Sequence, residues 1–132
     1  MGFDQYHEPP EELPAETRTF ARLCASLTEE AEAIGWYEQR LAVETDAGAQ
    51  AIMRDAQGEE FKHFSMDLEF LLRANELWRE TARGILFRDG DIVANGERSE
   101  ALAGDGADAA GGHPEQSGSG TLGIGALKGA DW

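Results

Sequence analysis

Between Ala15 and Glu44 the large apolar residues recur at Phe20, Leu23, Leu27, Ile34 and Leu41, and Glu30 and Tyr37 fill the two gaps in register. The steps alternate between three and four, the repeat of a helix that packs along one stripe. Pro14 is suited to the opening of that helix. Thr45-Asp46 interrupts the pattern, and Asp46 can cap a new helix with its side chain. From Ala47 to Asn75 a second seam reads Met53, Ala56, Glu60, His63, Asp67 and Phe70, flanked by Ile52, Phe64 and Leu71. Gly58 within it costs about 1 kcal/mol relative to alanine, so packing must compensate. Two long helices joined by so short a break form an antiparallel hairpin. A third, shorter helix is expected over Glu76 to Phe87, ended by Asp89-Gly90. No stretch alternates as a strand would. The expected fold is therefore all-α: an antiparallel two-helix hairpin plus a short C-terminal helix.

Outside the periodic region the chain changes character. Residues 1–13, with Pro9 and Pro10, read as an N-terminal arm ahead of a helical domain at 14–90. Residues 91–120 are rich in Gly, Ala, Ser and acids, and 11 of the 16 glycines follow Phe87. Such a stretch has too little apolar surface to offset its ordering entropy, so a flexible linker is expected. Aliphatic residues return at Leu122, Ile124 and Leu127, which makes 121–132 a tail suited to ordering on a partner's surface. A helical core of roughly 75 residues buries little by itself, and oligomerisation is the usual remedy.

Charge narrows the choice of partners. The net charge is −15; residues 1–87 hold 18 acids and 8 bases, and residues 88–132 hold 8 acids and 3 bases. Both parts are acidic, which argues against nucleic acid and anionic membranes and suits attraction of cations. Cys24 is the single cysteine, so neither an intrachain disulfide nor a cysteine cluster can form. No run approaches the ~18 apolar residues of a membrane span. The N-terminus lacks the basic start and apolar run of a secretion signal, so a cytoplasmic address is expected.

Three ionisable residues stand where the seams call for apolar ones. Glu60-Phe61-Lys62-His63 is a Glu-x-x-His step whose ends share one helix face, and Glu30 lies midway along the other helix. Midpoints of antiparallel helices meet, so the three should lie at one level. A carboxylate buried alone in an apolar seam costs several kcal/mol (roughly), unless it is paired or binds a cation. Oxygen-rich sites with one imidazole per ion suit Fe(II), Mn(II) or Zn(II), and a carboxylate bridging two ions suits redox iron. A di-iron carboxylate bundle uses two Glu-x-x-His steps and two further glutamates. This chain supplies one of each, so a second copy must supply the rest. Asp67, one turn beyond His63, is in reach of its second ring nitrogen. Glu29 and Glu32 flank the seam as an outer acidic pair. Trp36 and Tyr37 read as packing residues. No nucleophile motif, phosphate loop or nucleotide fingerprint competes.

At these residues the chain resembles the encapsulated ferritins, small ferritin-like proteins carried inside encapsulin shells. The resemblance rests on Glu29 to Arg40 (Glu-Glu-Ala-Glu-Ala-Ile-Gly-Trp-Tyr-Glu-Gln-Arg), on Glu59-Glu60-Phe61-Lys62-His63 and on Met66-Asp67-Leu68-Glu69-Phe70. The stretch Thr121 to Lys128 is similar to the family's encapsulin-targeting peptide. The resemblance implies two chains sharing a ferritin-like four-helix site, with dimers assembling into an open ring of ten chains, roughly as in the family. It implies ferroxidase activity with Fe(II) and dioxygen. The di-iron ligands would be Glu30, Glu60 and His63 from each chain. Tyr37 would lie close to the centre. Glu29, Glu32 and Trp36 match an outer metal-uptake site, which would take Ca(II) or another divalent cation. The encapsulin shell protein would be the partner of residues 121–129. The chain departs from the family pattern at Phe61-Lys62, where an acidic pair is usual, at Asp67, where threonine is common, and at Phe70 in place of a tryptophan.

The reading that follows is a di-iron ferroxidase delivering iron into an encapsulin compartment. Two rivals belong to other classes: a helical dimer stabilised by a non-catalytic Zn(II) or Ca(II), and a cargo adaptor whose helices serve only as a scaffold.

Overall fold

A computed structural model describes residues 6–109, and these are helical throughout apart from short connections. After a single 3-10 turn at Pro10–Glu12, α1 spans Ala15–Val43, α2 Ala47–Ala74, α3 Glu76–Arg83 and α4 Ile92–Ala109. The fold is all-α, as the periodicity predicts. The tail at 121–132, expected to dock on a partner, lies outside the described residues.

Local chemistry sets the breaks. Pro14 precedes the first turn of α1, and Glu44 closes the helix with its N–H on the Arg40 carbonyl. The Asp46 carboxylate accepts the Ala49 N–H at 2.8 Å, which satisfies one of the free donors of α2. The Glu44 carboxylate accepts the amides of Thr45 and Asp46 at 2.9 and 2.8 Å, fixing the reversal. Asn75 ends α2 and starts α3, its side chain accepting the Trp78 N–H at 2.8 Å.

The α1–α2 hairpin is cross-linked by a buried polar side chain. Gln57 donates from Nε2 to the Ile34 carbonyl at 3.3 Å and to Glu38 Oε2 at 3.0 Å. The fully enclosed apolar residues are few. Ala25, Leu71 and Leu72 are buried where the first half of α1 meets the end of α2. Near them Phe20 packs on Trp78 of α3, ring centroids 6.3 Å apart. Along the other side of α2, Ile52, Met66 and Phe70 remain 72%, 61% and 48% exposed. Among the described residues no helix is long and apolar enough to cross a membrane.

Two expectations change. The third helix stops at Arg83 rather than reaching Phe87, and a turn follows in which Phe87 takes φ 59° and Gly90 φ 95°. A left-handed phenylalanine costs about 1 kcal/mol or more, whereas glycine adopts such values freely. Second, residues 92–109, expected to be flexible linker, form α4. Asp91 caps it by accepting the Ala94 N–H at 2.8 Å. The helix then docks by close approach of small residues. Ser99 donates to the Thr81 carbonyl at 2.6 Å, at the end of α3 where that carbonyl also accepts the Gly84 N–H at 3.2 Å. Gly84 makes this possible: a Cβ there would sit 2.3 Å from Ser99 Oγ and 2.4 Å from Ser99 Cβ. Asn95 adds a bond from Nδ2 to the Asp89 carbonyl at 3.1 Å.

Gly84→Ala is therefore expected to undock α4 at a cost of about 1–3 kcal/mol. Amide hydrogen exchange should accelerate over residues 92–106 while α1 and α2 keep their protection. Unchanged protection of α4 in that variant would contradict the docking.

Candidate metal centre

Glu30 sits in the middle of α1 and Glu60 in the middle of α2, with His63 one turn further on. The antiparallel hairpin brings them to one level. One potential ligand atom from each lies within 4.8 Å of the other two, and this is the single such group among the described residues. His63 Nδ1 is 3.7 Å from Glu60 Oε2, too far for a hydrogen bond and open to an ion between them. The Glu60 side chain is 23% exposed and that of His63 47%. The group thus lies at the margin of the hairpin, beside the exposed Ile52, Met66 and Phe70.

The electrostatics of the trio are those of a site lacking a positive charge. Glu30 has its pKa raised from 4.5 to about 7. The largest cause is a hydrogen bond with the Glu60 carboxyl, which requires one of the pair to hold a proton. Burial and the charges of Glu60 and Asp67 add to it, and His63 opposes it. The stability Glu30 contributes to the metal-free protein is therefore complete below its ordinary value and lost as pH rises through about 7. A divalent cation can replace that proton and answer both carboxylates at once. Two carboxylates and an imidazole are donors suited to Fe(II), Mn(II) or Zn(II).

The remaining sequence candidates lie apart from the trio. Glu29, Glu32 and Trp36 are exposed on α1 and do not join the trio. Tyr37 is half-buried two turns from Glu30, with the Arg40 guanidinium 5.3 Å from its ring centroid. Asp67 makes no hydrogen bond to His63. Its Oδ2 is buried and has no partner among the described residues. Gln57, which the sequence reading passed over, fixes the register of the hairpin one turn from Glu60 on α2 and one turn from Glu30 on α1. Its position three residues before Glu60, on the flank of the seam, is the signal that could have drawn attention to it.

Comparison with known proteins places the chain in a family. The EncFtn-like family model matches residues 5–89. An encapsulated ferritin-like protein of Rhodospirillum rubrum is 44% identical over 123 residues, covering 93% of this chain and 87% of its own length. A ferritin-like protein of Thermotoga maritima is 42% identical over 90 residues, covering 68% of this chain and 79% of its own. The crystal structure of protein ne0167 from Nitrosomonas europaea superposes with a TM-score of 0.65 at 36% identity, over 67% of this chain and 98% of that one. With the family match spanning the whole hairpin and relatives this similar over most of their length, the chain belongs to the EncFtn-like family, the encapsulated ferritins.

Proposed function

We propose that this protein is a ferroxidase that oxidises Fe(II) to Fe(III) with dioxygen at a di-iron centre formed between two copies of the chain. The observation that carries the reading is the convergence of Glu30, Glu60 and His63, each with a ligand atom within 4.8 Å of the other two, on an exposed margin of the hairpin. Fe(II) is the substrate. Each ion gives up one electron, and dioxygen is the acceptor. Glu30 would give up its proton on arrival of an ion, Glu30 or Glu60 would bridge the two ions, and the His63 imidazole would bind in its neutral form.

Several features support a shared site. A di-iron carboxylate bundle draws its ligands from four helices, and one hairpin offers two. A two-fold axis doubles Glu30, Glu60 and His63 into the full set. Ile52, Met66 and Phe70 give the same side of α2 an apolar surface that a second copy would cover. The net charge of −15 draws cations to the surface. Glu29 and Glu32, with Trp36, would form an outer uptake site for Fe(II), Ca(II) or another divalent cation, and Tyr37 would line the approach to the centre. Dimers would assemble further into a ring. Residues 121–129 would bind the encapsulin shell protein, which places the enzyme in the cytoplasm inside a protein compartment; the name of the Rhodospirillum rubrum relative supports that association.

Glu30→Ala, Glu60→Ala and His63→Ala should each reduce Fe(II) oxidation in air to the rate in buffer alone, followed by Fe(III) absorbance. They should also abolish any dimerisation that Fe(II) promotes on size exclusion. Wild-type rates in all three variants would end the assignment.

A second expectation concerns pH. Below about 7 a metal ion must displace the Glu30 proton, so affinity should fall about tenfold per pH unit from this group. Zn(II) titrations in two buffers of different ionisation enthalpy at pH 6 should report about one proton or more released per bound ion, with Glu30 supplying one and the His63 imidazole any remainder. The metal-free protein should melt at progressively lower temperature as pH rises through about 7. Binding without proton release at pH 6 would contradict the shared proton.

Deleting residues 121–132 should leave Fe(II) oxidation in solution intact while the protein no longer co-purifies with encapsulin shells. Continued packaging of the truncated chain would rule out the tail as the address.

A further inference from the structure

Among the acidic side chains of this fold, Asp67 stands out by what it lacks. It occupies the seam position of α2 next after Glu60 and His63, so it looks to the same side of the helix as the trio. Its Oδ2 is sealed from solvent and meets no hydrogen-bond donor among the described residues. A buried acceptor of this kind is costly unless something supplies a donor or a positive charge. His63 does not donate to it.

We propose that Asp67 is a positioning residue of the metal centre, whose buried carboxylate oxygen accepts a hydrogen bond from water held beside the bound cation. The inference rests on the reading of the trio as a metal centre and adds to it a residue one turn removed from the ligands. In the metal-free chain the buried oxygen of Asp67 is left without a donor. With a divalent cation in place the Asp67 charge faces an opposite one, and the buried oxygen gains a donor. The residue therefore opposes the empty state and favours the loaded one.

That change of sign is what the test reads. Co(II) is the probe, added to the full chain, with binding followed by its visible absorption bands and by the rise in melting temperature on loading. Asp67→Asn keeps the size of the side chain and removes the charge. It is expected to weaken Co(II) binding roughly tenfold or more, to raise the melting temperature of the metal-free protein, and to shrink the rise that Co(II) produces. Glu60→Ala is the control and should bind no Co(II) at the centre. Wild-type affinity in Asp67→Asn alongside lost binding in Glu60→Ala would overturn the role of Asp67 and leave the metal centre standing. A lower metal-free melting temperature with an unchanged rise on loading would also overturn it, because Asp67 would then be a packing residue. Wild-type Co(II) binding in Glu60→Ala would remove the metal centre itself, and this inference with it.

Discussion

Two carboxylates in hydrogen-bond contact at the middle of a helical hairpin cannot both be ionised unless a cation lies with them. The contact between Glu30 and Glu60 is the constraint on which the rest of this fold turns. It is met only if the helices keep their register, because a slip of one residue turns a side chain about 100° around its helix. The short reversal at Glu44–Asp46 and the buried Gln57 hold that register, the first at the end of the hairpin and the second beside the site. A polar cross-link suits this task better than an apolar contact. Gln57 loses its partners on any sliding of α2 against α1, whereas leucines can repack.

The same constraint explains why so little of the chain is enclosed. The hairpin buries Ala25, Leu71 and Leu72 at one end and sets like charges at its centre, where a single-chain protein would place its best packing. A unit of this size with such a core is marginal by itself. Apolar residues that would finish the job, Ile52, Met66 and Phe70, face away from α1 on the margin where His63 is exposed. In the proposed dimer the apolar surface and the metal ligands are completed by one partner in one step. Association and metal binding would then be linked, and each would stabilise the other.

How much of this was legible in the sequence depended on which forces shaped each element. Packing periodicity shaped α1 and α2, so the seam from Phe20 to Leu41 and the seam from Met53 to Phe70 gave both helices to within a residue or so of their ends. The same rule exposed Glu30, Glu60 and His63 as polar intruders, and antiparallel geometry then set them level. Helix α4 follows no such rule. It is held by the Ser99 hydroxyl, by the absence of a side chain at Gly84 and by the Asp91 cap, and none of these leaves an apolar stripe. A stretch rich in Gly, Ala and acids reads as linker when the apolar pattern is the only guide. The early end of α3 has a related origin, since the chain must turn after Arg83 to bring Ser99 back to Gly84.

Acidity in a sequence is ambiguous, and the structure separates its two meanings by what each carboxylate touches. Asp46 and Asp91 accept backbone amides at helix starts, Glu44 accepts two amides at the reversal, and Glu69 pairs with Arg73 at 2.8 Å. These acids serve the fold and are answered within it. Glu30, Glu60 and Asp67 receive no backbone amide and no guanidinium among the described residues, and Glu30 and Glu60 converge with His63. In the metal-free chain that arrangement is stable only while Glu30 and Glu60 share a proton, and it weakens as pH rises through about 7. In the proposed centre a divalent cation would take the place of that proton, and the neighbouring imidazole of His63 suits one that accepts nitrogen as readily as oxygen.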